Sequence, residues 1–115
     1  MLPSFCASRS YGGPEGKDLG IALKISGAQY ELNVFFQFAE ITALESVPNA
    51  SWHHGALNIG SCAGHRVWWS CDDSVVSVLV GRDDQTWDFG IDIPLAEFPN
   101  LRAALATELT PGLAD

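Results

Sequence analysis

Residues 51–71, SWHHGALNIGSCAGHRVWWSC, carry most of the side chains of this chain that could bind a metal ion or act as a nucleophile. The candidates are all three histidines and two of the three cysteines: His53, His54, Cys62, His65 and Cys71. Four such side chains around one ion would make a zinc site. However, the spacing from Cys62 through His65 to Cys71 matches no common zinc pattern. If the segment forms two strands, Cys71 lies roughly 15 Å or more from the turn that carries the other two. We therefore expect no metal ligands here and no cofactor.

Two aspartate pairs, Asp72-Asp73 and Asp83-Asp84, are the candidates for acid–base catalysis. They flank one expected strand, which separates them by on the order of 20 Å. Paired catalytic carboxylates lie within about 10 Å of each other, so each pair is interpreted as a turn. The geometry of a meander allows a contact between His65 and the second pair, which we interpret as a surface ion pair. The chain has no nucleophile or nucleotide-binding motif, which favours a protein that is not an enzyme and leaves the question open.

Alternating apolar and polar residues predict the strands that must position these side chains. Residues 19–36 alternate on both sides of Gly27, which predicts a hairpin with one buried face. Residues 56–93 predict a meander of four strands. Its expected strands are Ala56–Cys62, Arg66–Cys71, Ser74–Val80 and Thr86–Ile93.

After Pro94 the apolar period changes to about 3.6, which predicts a C-terminal helix. Its apolar stripe consists of Phe98, Leu101, Leu105 and Leu109. The fold class is therefore α+β, a mostly antiparallel sheet of about six strands with the helix packed on one face. Proline and glycine predict an irregular lead-in over residues 1–18, followed by a single domain over 19–110 and a tail over 111–115. A short helical turn is expected at Ala39–Ser46.

The charge of the chain limits its partners. Its 14 acidic and 6 basic residues give a formal net charge of -8. This sign disfavours direct contact with nucleic acid or with an anionic membrane, because both need Lys and Arg. No apolar run reaches the roughly 18 residues of a membrane span. The N-terminus lacks the basic and apolar regions of a secretion signal, and the cysteine count is odd, so we expect a cytoplasmic protein with reduced thiols. The role of Cys6 stays open.

Adjacent aromatic residues predict an interaction surface. Trp68 and Trp69 must point to opposite faces of their strand, as must Phe35 and Phe36, so one of each pair faces solvent or a partner. Exposed aromatic residues are typical of interfaces, where they contribute much of the binding energy. The predicted partner-binding set is Asp72, Asp73, Asp83, Asp84, Asp88, Asp92, Trp68, Trp69 and Phe35.

These features favour a small acidic binding protein. The expected class is an inhibitor, of the kind found among bacterial immunity proteins and phage anti-defence proteins, that binds a basic nuclease or toxin. One alternative is a small-molecule-binding or enzymatic domain with a candidate pocket around His53, His54, His65 and Arg66. A second alternative is a homodimeric structural subunit that buries its aromatic face against a copy of itself.

Overall fold

The computed structural model describes residues 2–12, 15–83 and 85–109, which form seven strands, two α-helices and three 3-10 segments. The strands are β1 (Ser4–Gly12), β2 (Asp18–Ser26), β3 (Glu31–Gln37), β4 (Leu57–Cys62), β5 (His65–Asp72), β6 (Val75–Gly81) and β7 (Trp87–Pro94). The helices are α1 (Phe38–Ile41) and α2 (Phe98–Leu109), and the 3-10 segments are Thr42–Asn49, Trp52–His54 and Leu95–Glu97. The predicted α+β class is confirmed.

All strands belong to one antiparallel sheet in which every strand pairs with its neighbours in the chain, in the order β1 to β7. The predicted hairpin is the pair of β2 and β3, and the predicted meander is β4 to β7. Alternate residues of the hairpin are buried as the pattern predicted, including Ile21, Leu23 and Val34. The sheet curls so far that Pro3, next to the first strand, and Pro94, at the end of the last, line one depression.

The irregular lead-in predicted for residues 1–18 is wrong over residues 4–12, which form β1 and raise the strand number from six to seven. The strand pairs with β2 along its whole length, from Ser4 opposite Ser26 to Gly12 opposite Asp18. Its sequence alternates weakly, because only two of its residues, Phe5 and Ala7, pack against the core. Pairing with an apolar neighbour therefore determines this strand rather than its own pattern.

Helix α2 covers the inner face of the sheet. Phe98, Leu101 and Leu105 are fully or almost fully buried, whereas Leu109, the last member of the predicted stripe, is exposed. Arg9 of β1 holds the end of this helix, because its Nε–H donates to the Glu108 carbonyl at 3.2 Å. None of the described helices is both long enough and apolar enough to cross a membrane.

The link between β3 and β4 closes one end of the core. The predicted helical turn is present as α1 followed by a 3-10 segment, in which Leu44 and Val47 are fully buried. The Glu40 carboxylate accepts hydrogen bonds from the backbone N–H groups of Gln37 at 3.0 Å and of Gly60 at 2.8 Å. It thereby joins the start of α1 to a bulge in β4, where the φ of +83° at Gly60 requires glycine.

Candidate binding surface

The outer face of strands β5 to β7 is the side of the sheet that α2 does not cover. Successive side chains of a strand point to opposite faces, so Trp68, Ser70 and Asp72 share this face while Trp69 points inward. The register places Ser70 opposite Ser77 and Ser77 opposite Asp92. The outer face therefore carries a row of polar side chains across three strands.

Trp69 belongs to the core, which removes it from the predicted partner-binding set. It is fully buried and lies between Phe36 and Phe98, with ring centroids 6.1 and 6.3 Å away. Its indole N–H donates to the Ile59 carbonyl at 2.8 Å. Trp68 is the member of the pair on the outer face, where it is partly buried and donates to the Gly81 carbonyl at 3.1 Å.

Phe35 is half-buried and packs against its own sheet. A side chain built at Gly12 would lie 2.7 Å from the Phe35 ring, and one built at Gly20 would also lie 2.7 Å from it. The two glycines thus leave the space that the ring occupies. The Phe35 ring, predicted to contact a partner, therefore spends much of its surface on contacts within its own chain.

A groove of about 320 Å³ opens on the outer face of β5 to β7. Its lining consists of Trp52, Ser70, Asp72, Ser77, Leu79, Trp87 and Asp92. No lysine or arginine is among the described residues that line it, so no permanent positive charge in the lining neutralises its two carboxylates.

Ser70 lies in the floor of this groove and is the one polar residue buried among the described residues, with 3% of its surface exposed. Its hydroxyl makes no hydrogen bond to any other described residue, and it is not sealed from the groove. A buried polar group without a partner is costly unless water or a ligand satisfies it. The groove floor thus offers an unused donor and acceptor.

Trp52 reaches the groove because Asp72 holds its backbone. The Asp72 carboxylate accepts from the Trp52 N–H at 3.0 Å and from the Ser51 hydroxyl at 2.9 Å. These two hydrogen bonds, with a smaller contribution from His53, lower the pKa of Asp72, so this group is ionised at neutral pH. The Trp52 side chain remains 38% exposed. Sequence reasoning missed Trp52, because no periodicity marks its short 3-10 segment.

Trp87 forms the opposite part of the lining and is 49% exposed. Simple alternation along β7 would put Trp87 on the same inward face as Ile91 and Ile93, but a register shift at Gly81 changes its direction. A side chain built at Gly90 would lie 2.7 Å from Leu79 and 3.7 Å from the Trp87 ring, so both pack over this glycine. Asp92 completes the lining, and one of its oxygens accepts from the Ser77 hydroxyl at 3.0 Å.

The remaining predicted aspartates lie outside the groove. Asp73 is in the turn between β5 and β6 with a φ of +51°. Asp83 accepts hydrogen bonds from the backbone N–H groups of Gln85 and Thr86, which lower its pKa and organise its own loop. Asp84 lies outside the described residues. Asp88 is exposed on β7 and lines a different depression. Asp72 and Asp73 precede β6 and Asp83 follows it at the other end, as the strand prediction required.

The structure divides the candidate histidine pocket. His53 and His54 precede β4, whereas His65 and Arg66 follow it, at the other end of the strand. His65 and Arg66 line a depression of about 610 Å³ together with Gly64, Gly81, Arg82, Thr86 and Asp88. The turn before β5 and the loop after β6 share one end of the sheet, as expected. However, no ion pair joins His65 to Asp83 among the described residues, and one oxygen of that carboxylate accepts hydrogen bonds from its own loop.

The cysteines do not converge. Cys62 lies opposite His65 beside a turn, whereas Cys71 lies opposite Val76. All three cysteines of the chain are free thiols, with Cys6 exposed. Burial raises the pKa of both Cys62 and Cys71, which favours the protonated thiol over the thiolate that binds metals. No cluster of three potential ligands occurs within residues 2–12, 15–83 and 85–109.

Comparisons with models of protein families, with curated proteins and with solved structures find no match to this chain.

Proposed function

We propose that this chain is a small non-enzymatic binding protein that attaches to a basic protein through the outer face of β5 to β7. The proposal rests on one groove that is lined by two exposed tryptophans and two carboxylates. These are Trp52 and Trp87, both more than one-third exposed, with Asp72 and Asp92. Aromatic residues on an exposed sheet face supply contact area, and carboxylates without a neighbouring cation attract a positive partner.

The charge of the whole chain supports the same conclusion. A net charge of -8 on 115 residues speeds encounter with a positively charged partner, and this effect weakens as salt screens it. Of the predicted set, Asp73, Asp83 and Asp88 act through this long-range attraction because they lie outside the groove. We infer an inhibitor of a nuclease or toxin of bacterial or phage origin that acts in the cytoplasm, where free thiols are maintained.

The direct test measures binding to a panel of purified basic nuclease and toxin domains at low and high salt. We expect at least one partner whose association rate falls about tenfold or more between roughly 50 and 500 mM salt. The double variant Asp72→Asn and Asp92→Asn, which removes both carboxylates of the groove, should weaken this binding. A matched control, Glu31→Gln with Glu45→Gln, removes two exposed charges elsewhere, which form ion pairs with Lys24 and Arg102.

Two results would contradict the proposal. If the control weakens binding as much as the test variant, net charge rather than the outer face governs association. If light scattering of the purified chain shows a dimer that dissociates on Trp87→Ala, the outer face serves self-association instead.

A small-molecule site is the second candidate, and the depression beside His65 favours it. Arg66 and Arg82 place two of the six basic residues of the chain there, which suits an anionic ligand. His53 and His54 lie at the other end of β4 and would take no part. If His65→Ala abolished binding of a small anion without changing the fold, this reading would replace the first.

A further inference from the structure

Apart from the indole N–H groups of Trp52 and Trp87, every polar side chain that lines the groove can accept a hydrogen bond. Asp72 and Asp92 are carboxylates, and the Ser77 hydroxyl already uses its proton on Asp92 at 3.0 Å. The second oxygen of Asp92 has no hydrogen-bond partner among the described residues. Ser70 is 3% exposed as a residue, and its hydroxyl, which reaches the groove, is likewise unpaired within the described part of the chain. The matching ligand carries a positive charge and several donors.

The apolar side chains that line the groove restrict the class of ligand further. Trp52 and Trp87 present ring surface, and Leu79 lies between them in the groove floor. The two tryptophans make no ring contact with each other, so a flat or extended group can lie in the groove between them. Aromatic faces attract cations, and guanidinium groups stack on them more readily than ammonium groups do.

Guanidinium fits the arrangement best. It has five N–H donors in one plane, a permanent charge and a three-carbon stem that can cover apolar surface. Strand spacing puts the α-carbons of Asp72 and Asp92 about 12 Å apart, because they differ by two strands and one two-residue step. That separation admits a side chain that enters over Leu79 and ends at a carboxylate.

We propose that the groove is a receptor for an arginine side chain of the basic partner. The guanidinium binds the free oxygen of Asp92 and the Ser70 hydroxyl, and the stem packs between Trp52 and Trp87. The inference rests on the proposed function, because the basic partner is the source of the arginine. It adds that this partner must supply an arginine side chain to the groove.

The test uses the full chain, labelled with ¹⁵N, and follows the indole N–H signals of its four tryptophans by NMR. The probe is the blocked tripeptide Gly-Arg-Gly, compared with its citrulline counterpart, which has the same shape and no charge. We expect the Trp52 and Trp87 signals to move, the Trp69 signal to stay, and the citrulline peptide to bind about tenfold or more weakly.

Two variants on the same strand separate the groove from general charge. Asp92→Asn should lower the affinity for the arginine peptide about tenfold. Asp88→Asn, which removes an equal charge outside the groove, should change that affinity less than about twofold. Circular dichroism confirms that each variant is folded. Equal binding of the arginine and citrulline peptides, equal effects of the two variants, or tighter binding of a neutral oligosaccharide would overturn the proposal.

The outcome is separable from that of the proposed function. If a basic protein binds the outer face but Asp92→Asn leaves its affinity unchanged, the arginine receptor is wrong and the binding function stands. If the arginine peptide binds the groove while no basic protein binds, the receptor stands and the partner class is wrong.

Discussion

The Glu40 carboxylate provides a test of what fixes the link between β3 and β4 to the sheet. It joins α1 to β4 through one hydrogen bond from Gln37 and one from Gly60. Glu40→Gln keeps the size of the side chain, but its single amide oxygen can accept only one of these bonds, and its NH₂ group then faces the other N–H. Glu40→Ala removes both.

The expected loss of stability follows from the environment of each bond. The Gly60 bond at 2.8 Å is partly buried, and a hydrogen bond to a charged group contributes about 1.5–3 kcal/mol. The Gln37 bond is exposed and acts as a helix cap, which typically contributes about 1 kcal/mol. We therefore expect Glu40→Ala to lower the free energy of unfolding by about 3 kcal/mol, and Glu40→Gln by about 1–2 kcal/mol.

Urea denaturation followed by tryptophan fluorescence measures these differences. The control is Glu45→Gln, whose ion pair with Arg102 at 3.4 Å is exposed and should contribute about 0.5 kcal/mol or less. The slope of the transition should stay constant, because the same surface is exposed on unfolding. The reasoning is refuted if Glu40→Gln falls within about 0.5 kcal/mol of the parent chain.

Two further predictions concern Ala63, in the turn between β4 and β5, and Asp72, at the end of β5. Ala63 has a φ of +50°, so Ala63→Gly should raise the free energy of unfolding by about 0.5–1 kcal/mol. The control Ala103→Gly in α2 should lower the free energy of unfolding by about as much. If thermal denaturation shows the same sign of change for both variants, the prediction is wrong. Asp72 has a pKa below its ordinary value of 3.8, because Trp52 and Ser51 donate to it. Its contribution to stability is therefore present above about pH 4 and lost as pH falls through the lowered pKa. Asp72→Asn should lower the urea midpoint at pH 6, and this deficit should shrink as the pH falls below 3.8. A deficit independent of pH would show that the carboxylate charge is not the cause.

The sequence predicted the strands whose side chains alternate clearly and the helix whose period is regular. Ile21, Leu23 and Val34 are large apolar residues at alternate positions of their strands and are buried, which is a local signal. Strand β1 has no such signal, since its position depends on pairing with β2. Pairing is a long-range property that a single window of sequence does not contain.

The candidate site was harder to predict for a different reason. Asp72 and Asp92 were identified by charge, but neither of the tryptophans beside them, Trp52 and Trp87, was in the predicted set. A one-residue shift at Gly81 turns Trp87 outward, and alternation cannot reveal such a shift because it assumes that none occurs. Trp52 reaches the groove only through hydrogen bonds to Asp72, which is 20 residues away in the chain.

Asp72 and Asp92 consequently have different value as probes of binding. Asp72 holds Trp52 in place, so replacing Asp72 changes both the charge of the groove and the position of the Trp52 side chain. A binding defect at Asp72 would not separate these two causes. Asp92 accepts one hydrogen bond from the Ser77 side chain and holds no backbone segment. Asparagine can accept that bond as well, so Asp92→Asn removes the charge and leaves the geometry of the groove unchanged. For this reason the electrostatic contribution to partner binding is measured at Asp92.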